Sequence, residues 1–150
     1  MSQLKIGFIG CGGIANDKHF PGMATQWDGI DLSAFCDSMP ERADQARAKY
    51  GCEGSKVFTD YRELLKDPDI YAVHVLSPNV KHCEISVAAM EAGKHVLCEK
   101  PMAATTADAE KMMAAWKASG KKFTIGYQNR FRTDAQALTR ACEEGQLGEI

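Results

Sequence analysis

The sequence lacks long apolar runs, a dominant charge and a paired-cysteine motif, and each absence excludes a class of protein. Its apolar runs are all shorter than the roughly 18 residues that a membrane-spanning helix needs. The opening Met1-Ser2-Gln3-Leu4-Lys5 does not begin a secretory signal peptide. The net charge is -2 and basic residues are interspersed with acidic ones, which argues against a nucleic-acid-binding surface. We therefore expect a cytoplasmic protein that binds neither a membrane nor nucleic acid.

Cysteine is present, but not in a pattern that binds metal or forms a disulfide framework. The six cysteines are even in number, yet no two are spaced as Cys-x-x-Cys. With 150 residues, of which 45% are hydrophobic, the chain is long enough for one well-formed core without cross-links. We expect reduced thiols and no metal site.

A glycine-rich turn stands between the first apolar run and the first helical segment. After Lys5-Ile6-Gly7-Phe8-Ile9, the run Gly10-Cys11-Gly12-Gly13-Ile14-Ala15 has the pattern G-x-G-x-x-A. In a strand-turn-helix context, Gly10 permits the tight turn, Gly12 lets the backbone approach a pyrophosphate, and Ala15 lets the helix pack against the strand. The motif predicts dinucleotide binding; the alternative is an ordinary tight turn between a strand and a helix.

Strand and helix patterns alternate along the whole chain. A first helix over residues 14–26 is expected to be irregular at Pro21-Gly22, because proline and glycine both disfavour continuous helix. Such alternation predicts an α/β fold, a doubly wound parallel sheet with helices on both faces. The further predicted strands are 30–36, 56–58, 70–76, 95–98 and 122–127, and the further predicted helices are 40–50, 61–66, 80–92, 107–119 and 134–144.

An acidic residue follows the second predicted strand. Asp37 lies 22 residues beyond Ala15, where a carboxylate can accept hydrogen bonds from the ribose hydroxyls of adenosine. This favours NAD over NADP, because a 2′-phosphate would bring like charges together and Arg42 is the only cation nearby. The alternative role for Asp37 is a helix cap ahead of Pro40.

Two further polar turns follow the fourth and fifth predicted strands. They are Ser77-Pro78-Asn79 and Glu99-Lys100-Pro101. In an open parallel sheet, ligands bind outside the carboxyl ends of the strands, where the strand order reverses. We therefore expect both turns to lie at the ligand-binding edge. His74, within a buried strand, is interpreted as a core histidine and His95 as the first residue of a strand.

These residues together resemble the Gfo/Idh/MocA oxidoreductases, a family that includes glucose-fructose oxidoreductase and inositol 2-dehydrogenase. The resemblance covers essentially the whole chain. The most specific segment is Ala92-Gly93-Lys94-His95-Val96-Leu97-Cys98-Glu99-Lys100-Pro101. The other matching stretches are Gly10 to Ala15, Ser77-Pro78-Asn79-Val80-Lys81-His82 and Tyr127-Gln128-Asn129-Arg130-Phe131.

The resemblance implies a Rossmann fold, an NAD cofactor and a role for each matched residue. Lys100 is implied as the catalytic residue, which reaches the nicotinamide and the substrate. Glu99 is implied to contact the nicotinamide ribose, and the bond before Pro101 is implied to be cis. The remaining residues implied to bind the cofactor are Gly10, Gly12, Gly13, Ile14, Asp37, Ser77, Pro78, Asn79, His82, Asn129 and Arg130.

The resemblance also implies a longer protein. Members carry a second, sheet-built domain with an Asp-x-x-x-His motif, and none of His19, His74, His82 and His95 matches its histidine. We therefore expect a dinucleotide-binding domain over residues 1–127, with 128–150 beginning the connection into a substrate and oligomerisation domain. The full-length protein is expected to be a homo-oligomer, and these 150 residues alone are expected to be inactive.

The predicted activity is hydride transfer between NAD and a sugar, inositol or related polyol or carbonyl substrate. An alternative from a different class is a non-catalytic NAD-binding regulator or redox-sensing module. A third is a reductase with another fused domain, similar to dihydrodipicolinate or biliverdin reductases, which would reduce an unsaturated ring or imine. The identity of the substrate is not contained in these residues.

Overall fold

Six parallel strands form the single sheet around which the described chain is organised. The computed structural model describes residues 3–26 and 28–149. Every adjacent pair of strands is parallel, and the spatial order is β3-β2-β1-β4-β5-β6, so the strand order reverses between β1 and β4. The strands are β1 Leu4–Ile9, β2 Ile30–Cys36, β3 Lys56–Phe58, β4 Ala72–Val75, β5 His95–Cys98 and β6 Phe123–Ile125.

Helices connect the strands and cover both faces of the sheet, which confirms the predicted doubly wound α/β fold. Most predicted bounds agree with the observed ones within one or two residues, and β4 and β6 are shorter at both ends than predicted. The helices are α1 Phe20–Gln26, α2 Pro40–Tyr50, α3 Tyr61–Leu65, α4 His82–Glu91, α5 Thr106–Ser119 and α6 Thr133–Glu143. Short 3-10 turns cover Asn79–Lys81 and Gln128–Phe131.

The first helical segment departs from its prediction. The irregularity lies before Pro21-Gly22, as a π-helical turn over Ala15–His19 that continues directly into α1. The Phe20 N–H donates to the Ala15 carbonyl, five residues back. Pro21 lacks an N–H and so removes one α-helical hydrogen bond at this point, while its fixed φ is tolerated in the first turn of α1. The wider turn precedes the proline instead of coinciding with it.

Two apolar clusters lie on the two faces of the sheet. One joins Phe8, Phe20 and Phe35 with the small buried residues Ala43 and Ala46 of α2. The other packs α3, α4 and α5 on the opposite face through residues such as Leu64, Ile85, Met90 and Met112. Continuous apolar strands such as β4 are expected when helices cover both faces of a parallel sheet.

All six cysteines are free, as predicted: Cys11, Cys36 and Cys98 are buried, and Cys142 is exposed. Across the described ranges, no helix combines the length and the apolar character that crossing a bilayer requires. Ile150, the last residue of the expected connection into a second domain, lies outside the described residues.

Candidate cofactor and active site

The last residues of all six strands are in register, so the residues that follow them form one row. Direct neighbours across the sheet are Phe58–Cys36, Cys36–Ile9, Ile9–Val75, Val75–Cys98 and Cys98–Ile125. The row continues one residue past the strands, because three further backbone N–H groups donate to carbonyl oxygens of the neighbouring strand. These hydrogen bonds run from Gly10 to Cys36, from Leu76 to Ile9 and from Glu99 to Val75. Asp37 and Glu99 therefore lie at the same edge, three strand spacings or roughly 14 Å apart.

The glycine turn has the geometry that its sequence predicts. Gly10 has a φ of 104°, and a Cβ there would lie 2.6 Å from the Leu76 carbonyl oxygen. Only glycine tolerates both conditions. At Gly12 and Gly13, by contrast, an added Cβ meets nothing within 4 Å. The turn thus packs closely against the Leu76 carbonyl at Gly10, and it leaves open space for a ligand at Gly12 and Gly13.

Asp37 links the glycine turn to the turn after β2. Its Oδ2 accepts the Cys11 N–H at 2.9 Å, and its Oδ1 accepts the Met39 N–H at 2.9 Å. The residue that caps α2 is Met39, and it makes no side-chain cap hydrogen bond, so the alternative role of Asp37 as the helix cap is wrong. Burial and then the nearby Asp37 carboxylate raise the pKa of Cys11 to about 12, which keeps this thiol protonated.

A groove runs along this edge on both sides of the point where the strand order reverses. Its volume is about 710 Å³, and Ser77 is one of its lining residues. The Ser77 Oγ itself is buried and has no hydrogen-bond partner among the described residues. A second cavity of about 280 Å³ adjoins Gly12, Gly13, Asn16 and Arg42. The predicted site residues that line the groove are Gly10, Gly12, Gly13, Ile14, Asp37, Ser77 and Pro78.

His82 lies beneath the two polar turns and not in the groove lining. Its side chain is buried, with Nε2 2.9 Å from the Ser77 carbonyl oxygen and Nδ1 2.7 Å from that of Pro101. A neutral imidazole has one N–H, so only the imidazolium donates to both oxygens. The ring ties the turn after β4 to the turn after β5.

The turn after β5 is held by Glu99. The Lys100 N–H donates to Glu99 Oε2 at 3.0 Å, and the bond between Lys100 and Pro101 is cis, as the resemblance implies. Glu99 is buried, whereas Lys100 is exposed at the edge of the sheet. The structure thus places a buried carboxylate and an exposed lysine side by side at the end of β5.

The other predicted site residues lie further from the groove. Asn79 is exposed in the 3-10 turn before α4. Asn129 and Arg130 lie in the 3-10 turn after β6, where Arg130 lines a separate cavity of about 600 Å³ that also contains Tyr127 and Trp116. The structure therefore brings Gly10, Gly12, Gly13, Ile14, Asp37, Ser77 and Pro78 together in one groove, whose lining does not include Glu99 or Lys100. The binding or catalytic role of every one of these residues stays a prediction.

Two histidines at this edge were not predicted as site residues. His19 Nε2 lies 2.9 Å from Glu99 Oε1, and His19 Nδ1 lies 3.2 Å from His74 Nδ1. Burial, and to a smaller extent the proximity of His19, lower the pKa of His74 to about 3, so this ring is neutral. The only signal in the sequence was a histidine within a buried strand, and nothing in the sequence indicated which residue it contacts.

Comparison with known proteins agrees with this geometry. A family model described as "Oxidoreductase family, NAD-binding Rossmann fold" matches residues 4–127. The chain is 35% identical over 147 residues to inositol 2-dehydrogenase of Salmonella typhimurium, covering 97% of this chain and 43% of that protein. It is 37% identical over 151 residues to D-glucoside 3-dehydrogenase of Escherichia coli, covering 99% and 42%. The chain spans less than half the length of these relatives.

A similar solved structure is that of the WlbA dehydrogenase from Bordetella pertussis in complex with NADH and UDP-GlcNAcA. It has a TM-score of 0.91 and 29% identity, and the match covers 99% of this chain and 42% of that one. One conclusion follows from the family match, the glycine turn and the six-stranded parallel sheet. This chain belongs to the Gfo/Idh/MocA oxidoreductase family and contains the family's NAD-binding Rossmann domain.

Proposed function

We propose that the protein is an NAD-dependent oxidoreductase that exchanges hydride with a CH–OH group of a sugar, inositol or related polyol. The observation that carries the proposal is the groove of about 710 Å³ at the carboxyl edge, which joins the glycine turn, Asp37 and Ser77. Inositol and D-glucosides, the substrates named for two relatives, both carry secondary hydroxyl groups. An NAD-binding regulator and a reductase of an unsaturated ring or imine would share this groove, and the dehydrogenase names of the relatives favour the dehydrogenase over both.

The residues of the groove fit a dinucleotide. The open space at Gly12 and Gly13 admits a pyrophosphate, and the first N–H groups of the helical segment lack intrahelical acceptors. Asp37 already accepts two backbone N–H groups, but a carboxylate has about four lone-pair sites and so can still accept ribose hydroxyls.

In the proposed reaction, the bound nicotinamide supplies the chemistry of hydride transfer. The chain's own residues bind and orient the cofactor and the substrate. In the oxidation direction the substrate hydroxyl proton would pass to the histidine of the Asp-x-x-x-His motif that the resemblance implies in a further domain. Lys100 at the end of β5 supplies the positive charge that polarises the substrate oxygen, and Glu99 holds the Lys100 backbone through its N–H. His82 keeps the turns after β4 and β5 at a constant separation, because each of its ring nitrogens contacts a carbonyl oxygen in one of them.

We also infer that residues 128–150 begin a connection to a further domain and that the full-length protein is a cytoplasmic homo-oligomer. The family match ends at residue 127, and Phe131 and Leu138 beyond it are exposed apolar side chains. Six free cysteines, three of them buried, fit a reducing compartment.

Isothermal titration with NAD and NADP tests the proposal. Asp37→Ser removes the ribose acceptor and the charge that opposes a 2′-phosphate. We expect NAD affinity to fall about tenfold or more, because hydrogen bonds to charged groups are strong, and the preference for NAD over NADP to narrow. The matched control is Asp44→Ser, which removes the same charge from the exposed face of α2.

Three outcomes of this titration would contradict the proposal. Binding of neither dinucleotide would reject the cofactor site. Tighter binding of NADP than of NAD by the unmodified chain would reject the role of Asp37. An equal loss of NAD affinity in Asp44→Ser would show that general charge, and not the position of Asp37, is responsible.

A further inference from the structure

The carboxylate of Glu99 is held from three sides. His19, at the end of the π-helical turn, contacts Oε1 at 2.9 Å, and the Lys100 N–H contacts Oε2 at 3.0 Å. On the third side is Gly126, where an added Cβ would lie 3.1 Å from Oε1 and 3.3 Å from Cδ. Side-chain exposure is only 13% for His19 and 11% for Glu99, so water competes little for these contacts.

The direction of the hydrogen bonds follows from the donors available. A carboxylate only accepts, so His19 Nε2–H donates to Oε1. His19 Nδ1 then faces Nδ1 of His74, which is neutral. When His19 is neutral, it accepts the His74 Nδ1–H; when His19 is protonated, it donates to His74, whose proton then lies on Nε2. The contact between His19 and Glu99 is retained in both states.

We propose that His19 is a positioning residue for Lys100: it orients the Glu99 carboxylate, and Glu99 in turn fixes the Lys100 backbone N–H at the end of β5. This inference rests on the proposed function, because it assigns Lys100 a role in the reaction. The π-helical turn serves this arrangement, since it ends at His19 and delivers the ring across β1 to the ends of β4 and β5. Such turns are frequent at functional sites.

The groups that face His19 are few. His74 faces it from β4 and Glu99 from the turn after β5, with Lys100 beyond Glu99. The charged neighbours on its own segment are Asp17 and Lys18, and both are exposed. The electrostatic state of the cluster therefore depends on His19, Glu99 and Lys100, because His74 stays neutral.

The Lys100 amide resonance of the complete 150-residue chain tests the proposal without any cofactor. His19→Leu removes the donor, and we expect an upfield shift of this amide proton and exchange with solvent that is faster by about tenfold, as loss of one hydrogen bond implies. His19→Gln carries an Nε2–H donor at similar reach, so we expect the amide shift and protection to return.

A matched control is His95→Leu, at the opposite end of β5. His95 Nδ1 accepts the Lys122 N–H at 2.8 Å, so this variant also loses one histidine hydrogen bond, and the Lys100 amide should not move. An unchanged Lys100 amide in His19→Leu would overturn the proposal. Failure of His19→Gln to restore the amide, with the Gly12 and Asp37 amides unperturbed, would also overturn it by showing a purely structural role. Failure of NAD to bind would reject the proposed function alone, because the amide measurement needs no cofactor.

Discussion

His74 shows how burial turns an ordinary side chain into a source of pH-dependent stability. Its pKa is lowered to about 3 in the folded chain, mainly by burial, against an ordinary value of 6.5. Between these values the unfolded chain binds the proton and the folded chain does not. Stability must therefore rise with pH across this window and fall as the pH drops from about 6.5 towards 3.

We predict that His74→Gln flattens this dependence. The unmodified chain should lose up to about 1.4 kcal/mol of unfolding free energy per pH unit below pH 6 from this one group. Urea unfolding at several pH values measures the slope. His95→Gln should flatten it less, because the pKa of His95 is lowered in the same direction but the residue is less buried. Equal slopes in His74→Gln and the unmodified chain would contradict the prediction.

His82 is a buried polar residue outside the groove, so its substitution should lower stability without changing the groove lining. His82→Leu removes the ring nitrogens that lie 2.9 Å from the Ser77 carbonyl oxygen and 2.7 Å from that of Pro101, in contacts that are partly buried. We expect a loss of about 1–3 kcal/mol, the usual range when one partner of a hydrogen bond shielded from water is removed. His82→Gln retains an N–H donor, so its unfolding free energy should lie between those of the unmodified chain and of His82→Leu. Urea unfolding that shows less than about 1 kcal/mol for His82→Leu would contradict this.

At the scale of elements, two glycines of the turn between β1 and the first helical segment have different roles: Gly10 is needed for stability and Gly12 for cofactor binding. Gly10→Ala places a Cβ 2.6 Å from a backbone oxygen at a φ of 104°, so we expect a loss of about 2–4 kcal/mol. Gly12→Ala meets nothing within 4 Å and should change stability little. It should nevertheless weaken NAD binding at least tenfold, because the methyl group occupies the space that the pyrophosphate approaches.

Thermal unfolding and NAD titration of the same variants check this separation. Gly29→Ala serves as the control, because its Cβ is also unobstructed and it lies outside the groove. Its stability and NAD affinity should both be unchanged. A Gly12→Ala variant that binds NAD normally would show that this part of the turn does not approach the cofactor.

The elements themselves were largely predictable, and the exceptions have physical causes. Thr105 caps α5 through the Asp108 N–H, and Gly120 ends that helix with a φ of 64°, both as the local residues indicate. These signals act over one turn of chain. The irregularity of the first helical segment was placed wrongly at Pro21-Gly22, because the sequence shows only that Pro21 cannot donate and not on which side of it the helix adapts.

At the scale of the whole molecule, an apolar patch lies beyond β6. The patch consists of Tyr127, Phe131, Leu138 and Leu147, which are 47%, 80%, 59% and 51% exposed. α6 buries none of its own residues in the described chain. Exposed apolar side chains promote association, so we predict that the 150-residue chain self-associates through this patch.

The variant that combines Phe131→Ser with Leu138→Ser should abolish this association and leave the melting temperature nearly unchanged, because neither side chain is buried. Sedimentation velocity at several concentrations measures it. Val80→Ser is the control, since Val80 is 74% exposed but lies outside the patch. Association that persists in the double variant would assign it to another surface.

The sequence by itself determined the order of the elements, the glycine turn and the placement of the polar turns at strand ends, because apolar periodicity, caps and glycine conformations act locally along the chain. The resemblance to the family extended this to Lys100 and the cis bond before Pro101. The tertiary structure alone decided that His19 reaches Glu99, 80 residues away, and that His82 joins two turns. Such contacts depend on which strands become neighbours in the sheet and on how side chains from different elements pack, and no local pattern encodes either.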